Sequence, residues 1–327
     1  MDEKSEYKNI CQQYADEIPV YSQYWWMEAA CVGKCWNAFV VKDKAGRLMA
    51  TMPYLIRKKY GLKYILMPPL TQTNGIHYFY PDDISEHQRL EFEKTVVNEI
   101  VARLDNLGIS FFSQNFESSF TNWLPFLWNG FRQTTRYTYR LPSLKDLNSV
   151  YNGFTKDRKK KIQRAVDSGL VLKQDLTPEA FYDFHCAVLA KHGQKNLVDR
   201  AVVTSVMRAA IERGQGIILS LHSQDCSAMY SAQFLVWNSK WTCSLVCAND
   251  PDFTSTGAST LILWESIKFA SQHSTGFDFE GSVEESIESS YNRFGSKQTP
   301  YMKISKSYGL LFRFKDAFDA LFAKPNV

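Results

Sequence analysis

The chain lacks the signatures of the common catalytic folds. No GxSxG elbow, HExxH pair, Walker loop or GxGxxG turn occurs in its 327 residues, so serine hydrolases, zincins, P-loop NTPases and Rossmann dehydrogenases are without their signals. Charge of one sign is lacking too. The 38 Lys and Arg residues against 34 Asp and Glu leave +4, too little to announce a nucleic-acid surface, so any basic patch is local. Cysteines are few and odd in number, at positions 11, 31, 35, 186, 226, 243 and 247. They form no dense framework and read as free thiols in a reducing compartment. Cys31/Cys35 and Cys243/Cys247 share a spacing, yet no histidine stands near them, and no metal site is expected. No run approaches the ~20 apolar residues a membrane helix requires, and the opening MDEKSEYKNI is acidic and polar where a signal peptide is cationic and then apolar. No membrane span and a cytoplasmic location are expected.

What is present is an ordinary globular balance, 45% hydrophobic and 22% charged, in a chain longer than one hydrophobic core usually supports. Two domains, or one large double one, are expected. Aromatic content is 14%; large rings fill cores and also line grooves for long acyl, sugar or peptide substrates.

Pattern and punctuation give a repeated order of elements. Trp36 to Lys42 and Arg47 to Ile56 flank the turn Asp43 to Gly46 as a hairpin, and a third strand, Tyr64 to Met67, stops at Pro68 and Pro69. Ser85 with Gln88 resembles a capping box opening a helix in which Leu90, Val97, Ile100, Val101 and Leu104 recur until Gly108. A strand at Ile109 to Gln114, a short helix at Ser119 to Trp128 and a strand at Tyr137 to Leu141 complete the half. The second half repeats this order. Gly216 to Leu221 and Ala228 to Trp237 form a hairpin, and Trp241 to Cys247 is the third strand. A helix over Gly257 to Ala270, a strand at Phe277 to Glu280, a helix capped by Ser282 with Glu285, and a strand at Tyr301 to Ile304 follow. Matched elements lie about 165 to 180 residues apart, the mark of an internal duplication at domain scale. Division into 1–142 and 143–327 follows, each half α/β or α+β with a mixed, mostly antiparallel twisted sheet flanked by helices.

Four segments carry candidate chemistry. Ser255, Thr256, Gly257, Ala258, Ser259 and Thr260 form a small-residue turn at a helix start, where backbone N–H groups and the dipole favour a phosphate; the same residues also serve as simple caps. In FDFEGS, alternation sends Phe277 and Phe279 to one side and Asp278 and Glu280 to the other. Two acids at the end of a central strand are candidate general bases, or else a pair satisfied by helix N-termini or a basic partner. Tyr291 offers a proton donor and Arg293 a cation for an anionic group, while Arg293 and Lys297 equally suit a helix C-terminus. Finally, Lys156, Lys160 and Arg164 align on one helix face with Arg158 and Lys161 on the next, a face for a phosphorylated acceptor or tRNA backbone, or a solvated surface.

Hairpin, third strand, phosphate-turn helix, strand, helix, strand is the element order of a GNAT acyltransferase domain, and it occurs twice. With FDFEGS followed by Tyr291-Asn292-Arg293-Phe294-Gly295, the chain resembles the FemAB-like acyltransferases, whose fold is a tandem pair of GNAT domains. Tyr24-Trp25-Trp26, Met67 to Gln72 and the Arg158 to Ala165 helix are similar to stretches of that family. The resemblance implies direct transfer of an acyl or aminoacyl group to an amine, with the donor in a V-shaped opening between two strands. It implies acyl-CoA, such as acetyl-CoA, bound by the Ser255 to Thr260 turn; catalysis by Glu280 or Asp278 with Tyr291 and Arg293; and an acceptor groove involving Trp25, Trp26, Arg158 and Lys161. The acceptor would be a small molecule or cell-wall precursor. Two departures stand out. Members that use aminoacyl-tRNA look to carry a lysine in an FKxGF-type segment where this chain has Tyr291 to Gly295, and the acyl-CoA loop pattern is met only at Gly257. A tRNA donor, and a non-catalytic binding protein on the same scaffold, therefore stand as alternatives. The first half, lacking a small-residue cap beyond Ser85, would shape the acceptor side.

Overall fold

The computed structural model describes residues 2–281 and 285–309. In chain order the first elements are α1 (Glu3–Gln13), α2 (Tyr24–Ala30), β1 (Cys35–Lys42), β2 (Leu48–Lys59), β3 (Leu62–Leu66), β4 (His77–Tyr78), α3 (Glu86–Asn106), β5 (Phe111–Phe116), α4 (Leu124–Trp128) and β6 (Arg132–Leu141). There follow α5 (Leu147–Asn152), α6 (Lys156–Asp167), β7 (Val171–Lys173), α7 (Pro178–Lys191), α8 (Arg200–Glu212), β8 (Gly216–His222), β9 (Met229–Trp237) and β10 (Trp241–Asn249). A 3-10 turn over Pro251–Thr256 leads to α9 (Ala258–Ala270), β11 (Gly276–Asp278), α10 (Glu285–Asn292) and β12 (Lys297–Ser307). Ser282, expected to cap the helix before Tyr291, lies outside the described residues.

Contacts divide the chain into two compact units: residues 2–27, 33–136 and 300–309 in one, and 28–32 and 137–299 in the other. The sequence places a boundary at 142/143 and the closing strand with the second half. Instead, β12 pairs antiparallel with β5 from Met302↔Phe116 to Ser307↔Phe111, so the strand that ends the second repeat is built into the first unit. The physical reason is hydrogen bonding. The ladder of β5 must be satisfied on both edges, and β3 covers only Phe111 and Phe112 of the other edge.

In the first unit the strand order is β1-β2-β3-β5-β12, with β4 against β2. The expected hairpin is β1 and β2, in register from Cys35↔Ile56 to Val41↔Ala50. Ser85 and Gln88 exchange both bonds of a capping box at the start of α3, which buries Val96, Val97, Ile100, Val101 and Leu104 against Phe39, Met52, Phe112 and Phe116. The third strand turns back earlier than the sequence suggests, at Tyr60 and Gly61, both with positive φ (52° and 74°).

In the second unit the order is β6-β11-β10-β9-β8-β7. β9 is buried on both faces over Ser231 to Trp237, so its apolar run is nearly continuous rather than alternating. Its neighbour β10 pairs with β9 on one edge and with β11, in parallel, on the other. Helix α9 covers this centre through Leu261, Ile262 and Ile267, which pack in one cluster with Leu219, Leu235 and Phe277. Two helices absent from the sequence reading, α7 and α8, also belong here.

Candidate functional site

Two neighbouring strands of the second unit part company. β10 and β11 pair for only three residues, Trp241↔Gly276, Thr242↔Phe277 and Cys243↔Asp278. β10 then shifts register against β9 between Ser244 and Val246 and runs on to Asn249. β11 ends at Asp278, Phe279 is held by its N–H to Tyr139 O at 2.9 Å, and Glu280 turns away in the left-handed region at φ 61°. Glycine is required next: a Cβ on Gly281 would stand 1.8 Å from Tyr137 O. The alternation holds for Phe277 and Phe279, both fully buried, and fails at Glu280 because the strand has already ended.

A cavity of about 410 Å³ lies against the separated part of β10, lined among others by Gln233, Cys247, Asn249, Thr254, Ala258, Ser259, Ser290, Tyr291 and Arg158. The start of α9 forms one wall. Gly257, at φ 85°, takes the N-cap position without a side chain, and a Cβ there would stand 2.3 Å from Lys161 O, so only glycine lets the turn rest on α6. Thr256 Oγ1 accepts from Ala258 N at 3.2 Å, a side-chain bond to the first α9 amide. Of the six residues singled out at this turn, Ala258 and Ser259 line the cavity; Ser255 is exposed, Thr256 is half-buried, Gly257 is buried, and Thr260 is buried under Arg158.

Another wall is aromatic. Tyr230 and Phe253 stack with centroids 3.9 Å apart and planes 4° from parallel. The turn carrying Phe253 is anchored by Lys191 of α7, whose Nζ meets both Asp250 oxygens at 2.7 Å and Asp252 at 2.6 Å. Burial works to raise the Asp250 pKa, and the Lys191 ammonium with the Asp252 N–H outweighs it, leaving the carboxyl below its ordinary value.

Arg158 is the cavity's buried cation. Its guanidinium donates to Thr260 Oγ1 at 3.2 Å and to Ser290 Oγ at 2.8 Å, and lies over the Phe294 ring at 5.1 Å. All these partners are neutral, and Nε has none among the described residues. Desolvation lowers its pKa, with Asp157 opposing. Tyr291 lines the cavity with its phenol pKa pushed well up, chiefly by burial and further by Cys247, Glu280 and Asp278. It therefore holds its proton.

The remaining candidates lie elsewhere. Asp278 is sealed: Thr138 Oγ1 donates to one oxygen, Arg140 Nε to the other at 2.6 Å, and Glu280 N–H donates at 2.9 Å. Arg293 and Lys161 gather on Asp157 at 3.7 and 3.2 Å, a surface cluster outside the cavity lining. Lys156, Lys160 and Arg164 are exposed. In the first unit Trp26 is fully buried, its N–H donating to Thr71 Oγ1 at 2.9 Å, while Trp25 is half-buried against it. Sequence reasoning missed Tyr230 and His192 as cavity residues, and it placed Asn249, Asp250 and Phe253 only on the junction leading to the candidate turn, with no role of their own. Only the run Asn249-Asp250-Pro251, a turn signal directly after the third strand, pointed toward them. Among the described residues no group of three or more His, Cys, Asp or Glu is placed to hold a metal ion. No helix among them is long and apolar enough to cross a membrane. All seven cysteines are free thiols.

The fold is of the tandem GNAT type, shared with solved structures that include FemX. No family model matches the chain, and no curated protein matches it. Solved structures do. The chain is similar to a structure described as FemX, with a TM-score of 0.69, 11% identity and 99% of each chain covered. It is similar to a tandem GNAT protein from the clavulanic acid biosynthesis pathway (TM-score 0.53, 10% identity, 94% of this chain and 95% of that one). The C-terminal domain of a putative lysylphosphatidylglycerol synthetase from Agrobacterium fabrum is similar as well (TM-score 0.56, 10% identity, 97% of each chain).

Proposed function

We propose that the protein is an N-acyltransferase whose donor, most simply an acyl-CoA such as acetyl-CoA, occupies the cavity between β10 and the start of α9. One observation carries the reading: β10 runs on past its three-residue pairing with β11, and a cavity of about 410 Å³ lies along that free stretch at Cys247 and Asn249, beside the start of α9, where an acyl carbonyl could meet strand backbone. The wall at Ala258 and Ser259 and the buried Arg158 suit the anionic part of a donor or acceptor.

In this reading the acceptor amine attacks the thioester carbonyl, the C–S bond breaks, and the thiolate leaves with a proton. Tyr291, whose phenol stays neutral, passes its proton to the sulfur and is reprotonated by the N–H proton that the attacking nitrogen gives up as the amide forms. Glu280 takes the ammonium proton before attack. Asp278 is the weaker candidate for that task because Arg140 and Thr138 already satisfy its oxygens. Arg293 would act only through the surface cluster at Asp157. A cell-envelope or amino-sugar acceptor fits the family resemblance; Trp26, fully buried with its N–H on Thr71, is a core residue of the first unit and not part of an acceptor groove.

A second reading takes aminoacyl-tRNA as the donor, favoured by the exposed row Lys156, Lys160 and Arg164 on α6. Thermal-shift measurements separate the readings. A ligand at about 100 times its Kd adds about 2.7 kcal/mol of stability. Stabilisation by an acyl-CoA supports the first, and salt-sensitive tRNA binding with no acyl-CoA effect supports the second. Neither response leaves a binding protein on a transferase scaffold.

A further inference from the structure

The tip of the β2–β3 hairpin stands apart from every feature used so far. Between Asp43 and Asp82 the sequence holds six Lys and Arg residues and no acid. Four of those cations, Arg57, Lys58, Lys59 and Lys63, sit within seven residues around the turn Tyr60-Gly61, and all four are exposed. None makes an ion pair among the described residues; Lys59 Nζ lies 5.1 Å from the centroid of the Tyr60 ring.

Register shows why this segment protrudes. β1 begins at Cys35, opposite Ile56, and β5 begins at Phe111, opposite Tyr64. Residues 57–63 therefore extend past their neighbouring strands on both edges as a two-stranded ribbon. Such a ribbon is weak on its own, and this one is weakened further. Lys58 faces Lys63 across the strands, a like-charge pair. Tyr60 adopts φ 52°, a left-handed conformation that suits Asn or Gly and strains an aromatic residue. It nevertheless leaves its ring 88% exposed at the apex.

We propose that this tip is a contact surface for anionic phospholipid headgroups. A single phenol at the apex of a convex protrusion, ringed by lysines on both faces, matches the pairing of an interfacial aromatic with cations that meet lipid phosphates. A nucleic acid would call for a groove that tracks the backbone and several stacking rings, and this tip offers one ring and no groove. The contact would hold the chain to a membrane surface without a spanning helix. It goes beyond the transferase reading and stands or falls without it.

Sedimentation of the full chain with vesicles tests it. Vesicles of phosphatidylcholine alone should leave the chain in solution, and vesicles containing phosphatidylglycerol should pull it down, less so as salt rises. The double substitution Lys58→Gln with Lys63→Gln removes the facing charges, so it should weaken vesicle binding about tenfold or more while leaving thermal stability equal or higher. Tyr60→Gly, which relieves the backbone, should likewise weaken binding without loss of stability. No sedimentation with phosphatidylglycerol, equal sedimentation with both vesicle types, or unchanged binding in both variants overturns the proposal. So does tRNA binding that these variants abolish while vesicle sedimentation stays the same.

Discussion

Asp278 and Arg140 face one another on paired strands, Nε to Oδ2 at 2.6 Å, and neither side chain is more than 9% exposed. Arg140 also lies over the Trp241 ring at 4.5 Å. This pair fixes the last residue of β11 at the point where the strand leaves β10. One of the two acids in FDFEGS thus holds the fork open, and Glu280 is left beyond it.

Asp278→Asn should therefore destabilise the fold by about 1–3 kcal/mol, because it removes the carboxylate charge from a buried guanidinium, and urea denaturation should register the loss. A variant as stable as the parent would show that the pair does not hold the fork.

Glu280→Gln and Tyr291→Phe should each lower turnover about 10²-fold or more with the circular dichroism spectrum unchanged. Steady-state rates with saturating acyl donor and an amine acceptor measure this. Full activity in either variant removes that residue from proton transfer.

Gly257→Ala should lower stability by about 1–2 kcal/mol or more, since the position needs φ 85° and a Cβ there would meet Lys161 O at 2.3 Å. Donor affinity should fall with it, because the same turn positions Ala258 and Ser259. Calorimetry and a donor titration read the two effects separately.

His77 gives a pH signature in the first unit. Burial lowers its pKa to about 4, against about 6.5 in an unfolded chain. The folded state binds the proton less well, so this contribution is complete above about pH 6.5 and is lost as pH falls toward 4, amounting to about 3 kcal/mol at most. His77→Gln should flatten the stability curve in that window. His185 and His222 are also lowered by burial, so a smaller slope should remain.

Much of the local structure was legible from sequence because its signals lie within a few residues. Gly257 and Gly281 stand where no Cβ fits, the Ser85–Gln88 capping box opens α3, and the alternation of Phe277 and Phe279 has a period that survives in one sequence. What escaped was non-local. That β12 pairs with β5 is decided by a ladder between residues almost 200 positions apart, which no local pattern records. The walls Tyr230 and Phe253 meet only because β9 and the turn after β10 fold together. Helix α8 did carry a signal, with Val202, Val203, Val206, Met207 and Ala210 at helical spacing, and Thr177 before Pro178 marks the start of α7. Neither helix belongs to the element order that the two halves share.

Cys247 offers the most direct test of the donor cavity. It lines the cavity and is exposed, and Cys35 and Cys226, exposed elsewhere, serve as internal references. Maleimide labelling followed by peptide mass spectrometry resolves its rate from theirs. With increasing acetyl-CoA the account predicts saturable protection of Cys247 and constant rates at the two references. An unchanged Cys247 rate at every acetyl-CoA concentration would contradict it.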